Sequence, residues 1–295
     1  MRSNIETFYY WMNERQRIFL NKEEGKPWPW TEDAILQKYS FCNVFRMQDR
    51  VTKWLFENWY EPYAEHENLF FAACMARQIN WPPTLEKIGY PEDWDVVLME
   101  EKINAMELMK LRDEKVYTGA YMLCGGAAAG ISKPQFTMEK VLLPLWFGIR
   151  GQLLRDTNDQ PIFPTTIEGT VTFLTKFQGF GGFLAYEVAT DLRHTRYLRN
   201  APDIYTWANP GPGANRGLNR IHGRELEWKI PLAQAVEEMQ NLMEGYKIHR
   251  ESWMPAIIEM RDVEHSCCEF DKYQRVALGQ GRPRSTYRRD KELEY

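Results

Sequence analysis

No Cys-x-x-Cys pair and no His/Cys cluster at zinc or iron–sulfur spacing occurs along the chain, so neither a metal nor any other cofactor is expected. The cysteines are few and odd in number (Cys42, Cys74, Cys124, Cys267 and Cys268). That excludes a closed disulfide framework and points to thiols kept reduced. Long apolar runs are missing: the longest, VLLPLWFGI (141–149), is too short to span a bilayer and carries a proline. The first residues, MRSNIETFYYWMNERQR, are charged throughout and lack the apolar core of a signal peptide. A soluble, cytoplasmic protein is expected, monomeric and without a membrane partner. A GxxxxGK[ST] motif is absent as well, which argues against kinase activity in this chain. The stretch GGAAAGISK (125–133) has the wrong spacing for that motif and reads as a flexible loop.

Strand-like alternation is nearly absent too, and what replaces it is helical periodicity. Residues 4–20 bring Ile5, Phe8, Tyr9, Met12 and Ile18 onto one face. Thr31 is placed to cap a helix starting at Glu32. Residues 43–59, 65–79, 95–116, 138–152, 231–246 and 253–276 read as further helices, separated by Gly-, Pro- and Asn-rich loops. The fold class is all-α. A division into residues 1–115, 116–230 and 231–295 is expected, the last segment returning to the first.

Aromatic residues make up 14 % of the chain, with 11 Trp; helix packing accounts for such a surplus, and so does stacking on unpaired bases. A net charge of −4 argues against a nonspecific nucleic-acid coat. Its distribution is uneven: Arg193, Arg196, Arg199, Arg216, Arg220 and Arg224 cluster, while acidic residues concentrate between Glu86 and Glu114. Such asymmetry gives either a basic face for phosphates or a solvated arginine-rich surface.

The stretch KFQGFGGFLAYEVATDLRHT (176–195) sets a Gly-Phe-Gly turn between two helical segments. It resembles the hairpin of helix-hairpin-helix DNA glycosylases. In that pattern, glycines permit a tight backbone and amides at the following helix start hold a DNA phosphate. Gln178, Gly179, Phe180, Gly181 and Gly182, with Arg193, Arg196, Arg216 and Arg220, are the DNA-contacting candidates. Asp203 follows the second glycine at the distance where that family carries its catalytic carboxylate, and Asp191 is a nearer alternative. A helix cap or an ion pair is the competing account of both. The position of the family's nucleophilic lysine holds Phe183, so Schiff-base lyase chemistry is excluded.

Five stretches carry a second resemblance: PWPWTEDAILQKYSFCNVFRMQDRVTKWL (27–55), VYTGAYM (116–122), GFGGFLAYEVATDLRHT (179–195), NPGPGANRGLNR (209–220) and DVEHSCCEFDKYQR (262–275). They are similar to the DNA-base hypermodification proteins known as alpha-glutamyl/putrescinyl thymine pyrophosphorylases. That group shares a helical domain with 5-hydroxymethyluracil DNA kinases and is held to descend from helix-hairpin-helix glycosylases. The resemblance implies a two-lobed helical fold and a substrate of double-stranded DNA carrying modified 5-hydroxymethylpyrimidines. It also implies that Trp30, Thr31, Asp33, Tyr39, Asn43, Arg46, Asp49 and Arg50 face the site. Asn43, Arg46 and Arg50 would share one helix face, where Asn reads a base edge and Arg binds phosphate. His265, Glu269 and Lys272 fall at i, i+4 and i+7, with His265 a candidate acid or base. Tyr10, Trp30, Tyr117 and Tyr121 are candidate walls for a flipped base.

Two chemistries fit these residues. A monofunctional glycosylase would flip out the modified base and cut its N-glycosidic bond through Asp203, with defence against modified phage DNA a natural use. A transferase would instead replace a phosphate or pyrophosphate on the base's 5-methylene with an amine or amino acid, using cations at the leaving group. The carboxylate spacing puts the glycosylase first. A noncatalytic DNA-binding module would leave the polar residues of 31–50 without a role.

Overall fold

The computed structural model describes residues 2–119, 130–152, 162–283 and 285–287. Among them every regular element is a helix, and strand-like pairing is limited to an antiparallel bridge between Tyr39 and Thr286. The helices are α1 (Asn4–Glu23), α2 (Ala34–Lys38), α3 (Arg50–Leu55), α4 (Leu69–Ile79), α5 (Pro82–Ile88), α6 (Val96–Leu111) and α7 (Lys133–Gln135). They continue as α8 (Leu143–Gln152), α9 (Ile167–Leu174), α10 (Gly182–Leu192), α11 (Pro212–Ile221), α12 (Leu232–His249) and α13 (Met260–Ala277). Two π-helical turns, Phe56–Tyr60 and Phe136–Leu142, extend α3 and run α7 into α8. None of the described helices is long and apolar enough to cross a membrane.

The chain falls into two compact units. Unit 1 is Met1–Asp49 with Ile204–Tyr295, and unit 2 is Arg50–Asp203. The boundaries expected near 115 and 230 therefore lie inside units.

In unit 1, α1 begins with a capping box: the Ser3 hydroxyl accepts from the Glu6 amide and the Glu6 carboxylate accepts from the Ser3 amide. Its inner face buries Phe8, Trp11 and Met12, and Phe8 meets Phe270 of α13 edge-on at 5.4 Å. Close contact between α11 and α13 rests on glycine. A Cβ at Gly217 would lie 2.0 Å from the Cys267 carbonyl oxygen, and one at Gly213 2.4 Å from Cys268 Sγ. α13 starts from a second box, in which Glu259 and Asp262 each cap the other's backbone amide.

Unit 2 is built around α4, all of whose residues are buried, and which ends on left-handed Asn80. α10 packs on α4 and α9. Gly179, in the turn before α10, has φ +86° and lies against Val141 so closely that a Cβ would approach it to 2.7 Å.

Two local expectations change. The segment 43–59 is not one helix: Arg46–Gln48 is a 3₁₀ turn and Asp49 is extended. The reason is local, since the Asp49 carboxylate accepts the Asn43 amide and Asn43 Nδ2 donates to the Gln48 carbonyl, closing a loop where helix bonds would run. Asn43, Arg46 and Arg50 therefore do not share a helix face. At the second site Asp33 rather than Thr31 caps α2, because its Oδ1 takes the amides of both Ile35 and Leu36. Thr31 instead donates its hydroxyl to Glu14.

Candidate functional site

The densest polar cluster in unit 1 forms where residues 42–49 cross the first turns of α13. The helix spacing of His265, Glu269 and Lys272 brings them to one side. Lys272 Nζ donates to Glu269 Oε2 at 2.8 Å, and the Cys42 amide donates to the same oxygen at 2.9 Å. The Arg46 guanidinium donates to Asp49, and the Arg46 backbone amide donates to Asp262 Oδ1 at 2.9 Å. His265 Nε2 lies 3.9 Å from Asp49 Oδ2 and is buried with no hydrogen-bond partner. The Cys42 Sγ, an Asp49 carboxylate oxygen and a His265 ring nitrogen all lie within 4.8 Å of one another.

Burial sets the protonation states. It pushes the Cys42 thiol well above its usual range, with Glu269 and Asp49 adding to the effect. It drives His265 down to about 4, helped by Arg261 and Arg46, so the imidazole is neutral at pH 7. Asp262 is raised to about 6 by burial, against the amide hydrogen bonds it receives. Burial also works against the charges of Glu269 and Lys272. Their mutual attraction overcomes it, holding the carboxyl low and the ammonium high.

A cavity of about 610 Å³ in the same unit is lined by Tyr10, Glu14, Arg17, Trp30 and Asp33 among others. Asp33 Oδ2 accepts the hydroxyls of Tyr10 (3.3 Å) and Tyr273 (2.7 Å), while Arg2 covers the Tyr10 ring at 3.9 Å. The cavity thus combines aromatic walls with charges of both signs. Glu14, Cys42, Asp262 and Tyr273 belong to these two features without having been singled out from the sequence as site residues. For Cys42, which joins through its backbone amide and by its fold position, no linear signal exists.

The other candidates lie in unit 2 or pair internally. Asp191 is 3 % exposed and receives both Arg77 Nε and Nη2 at 2.5 Å, with the Tyr60 hydroxyl at 2.6 Å. Asp203 caps α9, its two oxygens accepting the Ile167 and Glu168 amides at 2.8 and 2.9 Å. In the hairpin, Phe180 is buried while Gln178, Gly179 and Gly181 are exposed, and α10 starts without a side-chain cap. Arg193 follows α10 as its C-cap. Arg196 donates to the carbonyls of Ala64 and His66. In unit 1, Arg216 and Arg220 both donate to Asp271. Arg50 opens α3 and is exposed. Tyr117 is buried and donates to Thr137. Tyr121 lies outside the described residues, as does most of the GGAAAGISK stretch.

The family described as "5-hmdU DNA kinase, helical domain" matches residues 2–282. The 5-hmdU DNA kinase of Bacillus phage SP10 is 27 % identical over 292 residues, covering 90 % of this chain and 44 % of the relative. The chain thus spans less than half of that protein's length. No solved structure matches.

These findings correct the first functional expectation. The relative is named for phosphoryl transfer, not for hydrolysis of a glycosidic bond. Base excision, the hydrolase class and the defence role are therefore set aside; the name of the relative fits the transferase alternative better. The two aspartates offered as alternatives for that chemistry have partners of their own: Asp203 holds helix amides and Asp191 a buried arginine.

Proposed function

Because the chain belongs to the family of 5-hmdU DNA kinase helical domains, we propose that it is the DNA- and base-handling part of a transferase. The group transferred would sit on the 5-methylene of a 5-hydroxymethyluracil-derived base in DNA. The family match across residues 2–282 carries this reading. The kinase activity of the longer relative is not assigned to this chain, which corresponds to less than half of it and has no GxxxxGK[ST] motif.

The cluster on α13 supports the reading chemically. Phosphate or pyrophosphate on the 5-methylene oxygen carries negative charge that grows on the leaving oxygens as the carbon–oxygen bond breaks. An incoming amine forms the new carbon–nitrogen bond and gives up a proton, while the (pyro)phosphate departs with the bonding electrons. Arg46 and Lys272 are the cations we assign to that charge. Lys272 is held protonated by Glu269, and Arg46 is held by Asp49. The proton the amine gives up passes to solvent. Tyr10 and Trp30, on the cavity of the same unit, are the candidate base-stacking walls. We assign the amides at the start of α10, which no side chain caps, to a DNA phosphate, the one role here that belongs to unit 2.

The test is nucleoside mass spectrometry. Duplex DNA carrying 5-hydroxymethyluracil, free or phosphorylated, is incubated with the protein, with and without ATP, amines and amino acids. The expected result is an intact strand whose modified base changes mass only with a donor present, and less of it with Arg46→Lys or Lys272→Ala. Release of a free base, or no mass change under any combination, would overturn the proposal.

A further inference from the structure

We propose that Cys42, Asp49 and His265 form a three-ligand site for Zn²⁺ in unit 1, with the fourth position open. The three side chains come from a loop and from α13, more than two hundred residues apart in the chain, and the fold sets their donor atoms within 4.8 Å of one another. Tetrahedral zinc holds thiolate, imidazole and carboxylate donors at about 2.0–2.3 Å, hence roughly 3.4 Å apart. The observed triangle is wider than that, with its donor atoms up to 4.8 Å apart and the His265–Asp49 side at 3.9 Å. His265 Nε2 is buried without a hydrogen-bond partner and faces Asp49 at 3.9 Å. A buried polar atom in that state is costly, and a metal ion would satisfy it.

The surroundings resemble those that hold metal ligands in place. Ligating carboxylates are usually hydrogen-bonded themselves, and here Asp49 accepts the Asn43 amide and the Arg46 guanidinium. Imidazole binds a metal through a ring nitrogen lone pair, and the Nε2 that faces Asp49 has no other partner. The thiol must lose its proton on binding, which passes to solvent as the Zn–S bond forms; the ion's own charge favours that loss. The thiolate and Asp49 together match the charge of Zn²⁺, Glu269 and Glu264 face Lys272 and Arg261, and the Arg46 guanidinium on Asp49 leaves one positive charge over. Mixed sulfur, nitrogen and oxygen donors suit zinc better than magnesium or calcium. An open fourth position is the pattern of catalytic zinc rather than structural zinc.

The inference stands apart from the transfer reading, because metal binding is measured without DNA. The chelator-stripped protein is titrated with Co²⁺ and then Zn²⁺. One equivalent of Co²⁺ should give a thiolate charge-transfer band and four-coordinate d–d bands, both lost as Zn²⁺ displaces it. Cys42→Ser should abolish the charge-transfer band, and His265→Gln should weaken binding by about tenfold or more. Cys268→Ser should change neither. Zinc-edge absorption of the wild-type protein needs no variant and should read one sulfur at about 2.3 Å. Sub-stoichiometric binding, a band that survives Cys42→Ser, or a zinc shell without sulfur would each overturn the site.

Discussion

At the scale of single residues, Asp191 separates a functional from a structural carboxylate most sharply. Its partner Arg77 is fully buried and reaches Thr52 and Asn80 as well as Asp191. Removing one member of such a pair leaves the other charged and desolvated, which costs about 3–5 kcal/mol. Asp191→Ala is therefore expected to lower the urea midpoint sharply, and Asp191→Asn to do so less. A midpoint unchanged in both variants would contradict the buried pair. Asp262 offers a pH-dependent check. Its folded pKa of about 6 lies above the ordinary 3.8, so between those values the folded state binds the proton more tightly than the unfolded chain. The Asp262 contribution to stability must then rise as pH falls through 6 and level off near 3.8, by on the order of 2–3 kcal/mol. Denaturation of wild type and Asp262→Asn from pH 7 to pH 4 reads this directly. The gap between them should shift in favour of wild type on acidification, and a gap independent of pH would refute the raised pKa.

At the scale of elements, the α11–α13 contact depends on two glycines one helical turn apart. Gly217 faces backbone, not a flexible side chain, so a methyl group there forces the helices apart. Gly217→Ala should cost at least about 2 kcal/mol, in the range of overpacked cores. Gly151 is the control, because it sits in α8 with open space around its Cβ position. There alanine should be neutral or stabilise by up to about 1 kcal/mol, since glycine is the poorer helix former. Equal thermal shifts for the two variants would contradict the close approach. The helices themselves were legible, because apolar periodicity in α1, α4 and α13 is a local property. The same holds for the face shared by His265, Glu269 and Lys272, where Glu269 and Lys272 do meet. What was not legible depends on contacts distant in sequence. The loop at 43–49 reads as helix until Asn43 and Asp49 are seen to bond the backbone. The meeting of Cys42 with His265 has no spacing to reveal it. Asp203 shows the converse hazard: its distance from the hairpin suggested chemistry, whereas its oxygens cap α9.

At the scale of the whole molecule, the question is how a chain of net charge −4 would engage DNA. The arginine-rich stretch after α10 suggested a broad basic face. Yet Arg216, Arg220 and Arg275 all face Asp271, Arg224 grips Glu238 with both Nη atoms, and Arg196 holds two carbonyls. Cations committed in this way neutralise few phosphates. Each neutralised phosphate contributes about 0.9 to the slope of log K against log salt, so duplex binding should show a shallow slope, about −2 to −4. Recognition would then have to come largely from the modified base, whose contacts are not screened by salt. Fluorescence anisotropy on matched duplexes carrying thymine or 5-hydroxymethyluracil tests both halves of the argument. The preference for the modified duplex should persist as salt rises, even as both affinities decline slowly. A slope steeper than about −6, equal for the two duplexes, would mean that the chain holds DNA by its backbone alone, and the base pocket assigned to unit 1 would lose its support.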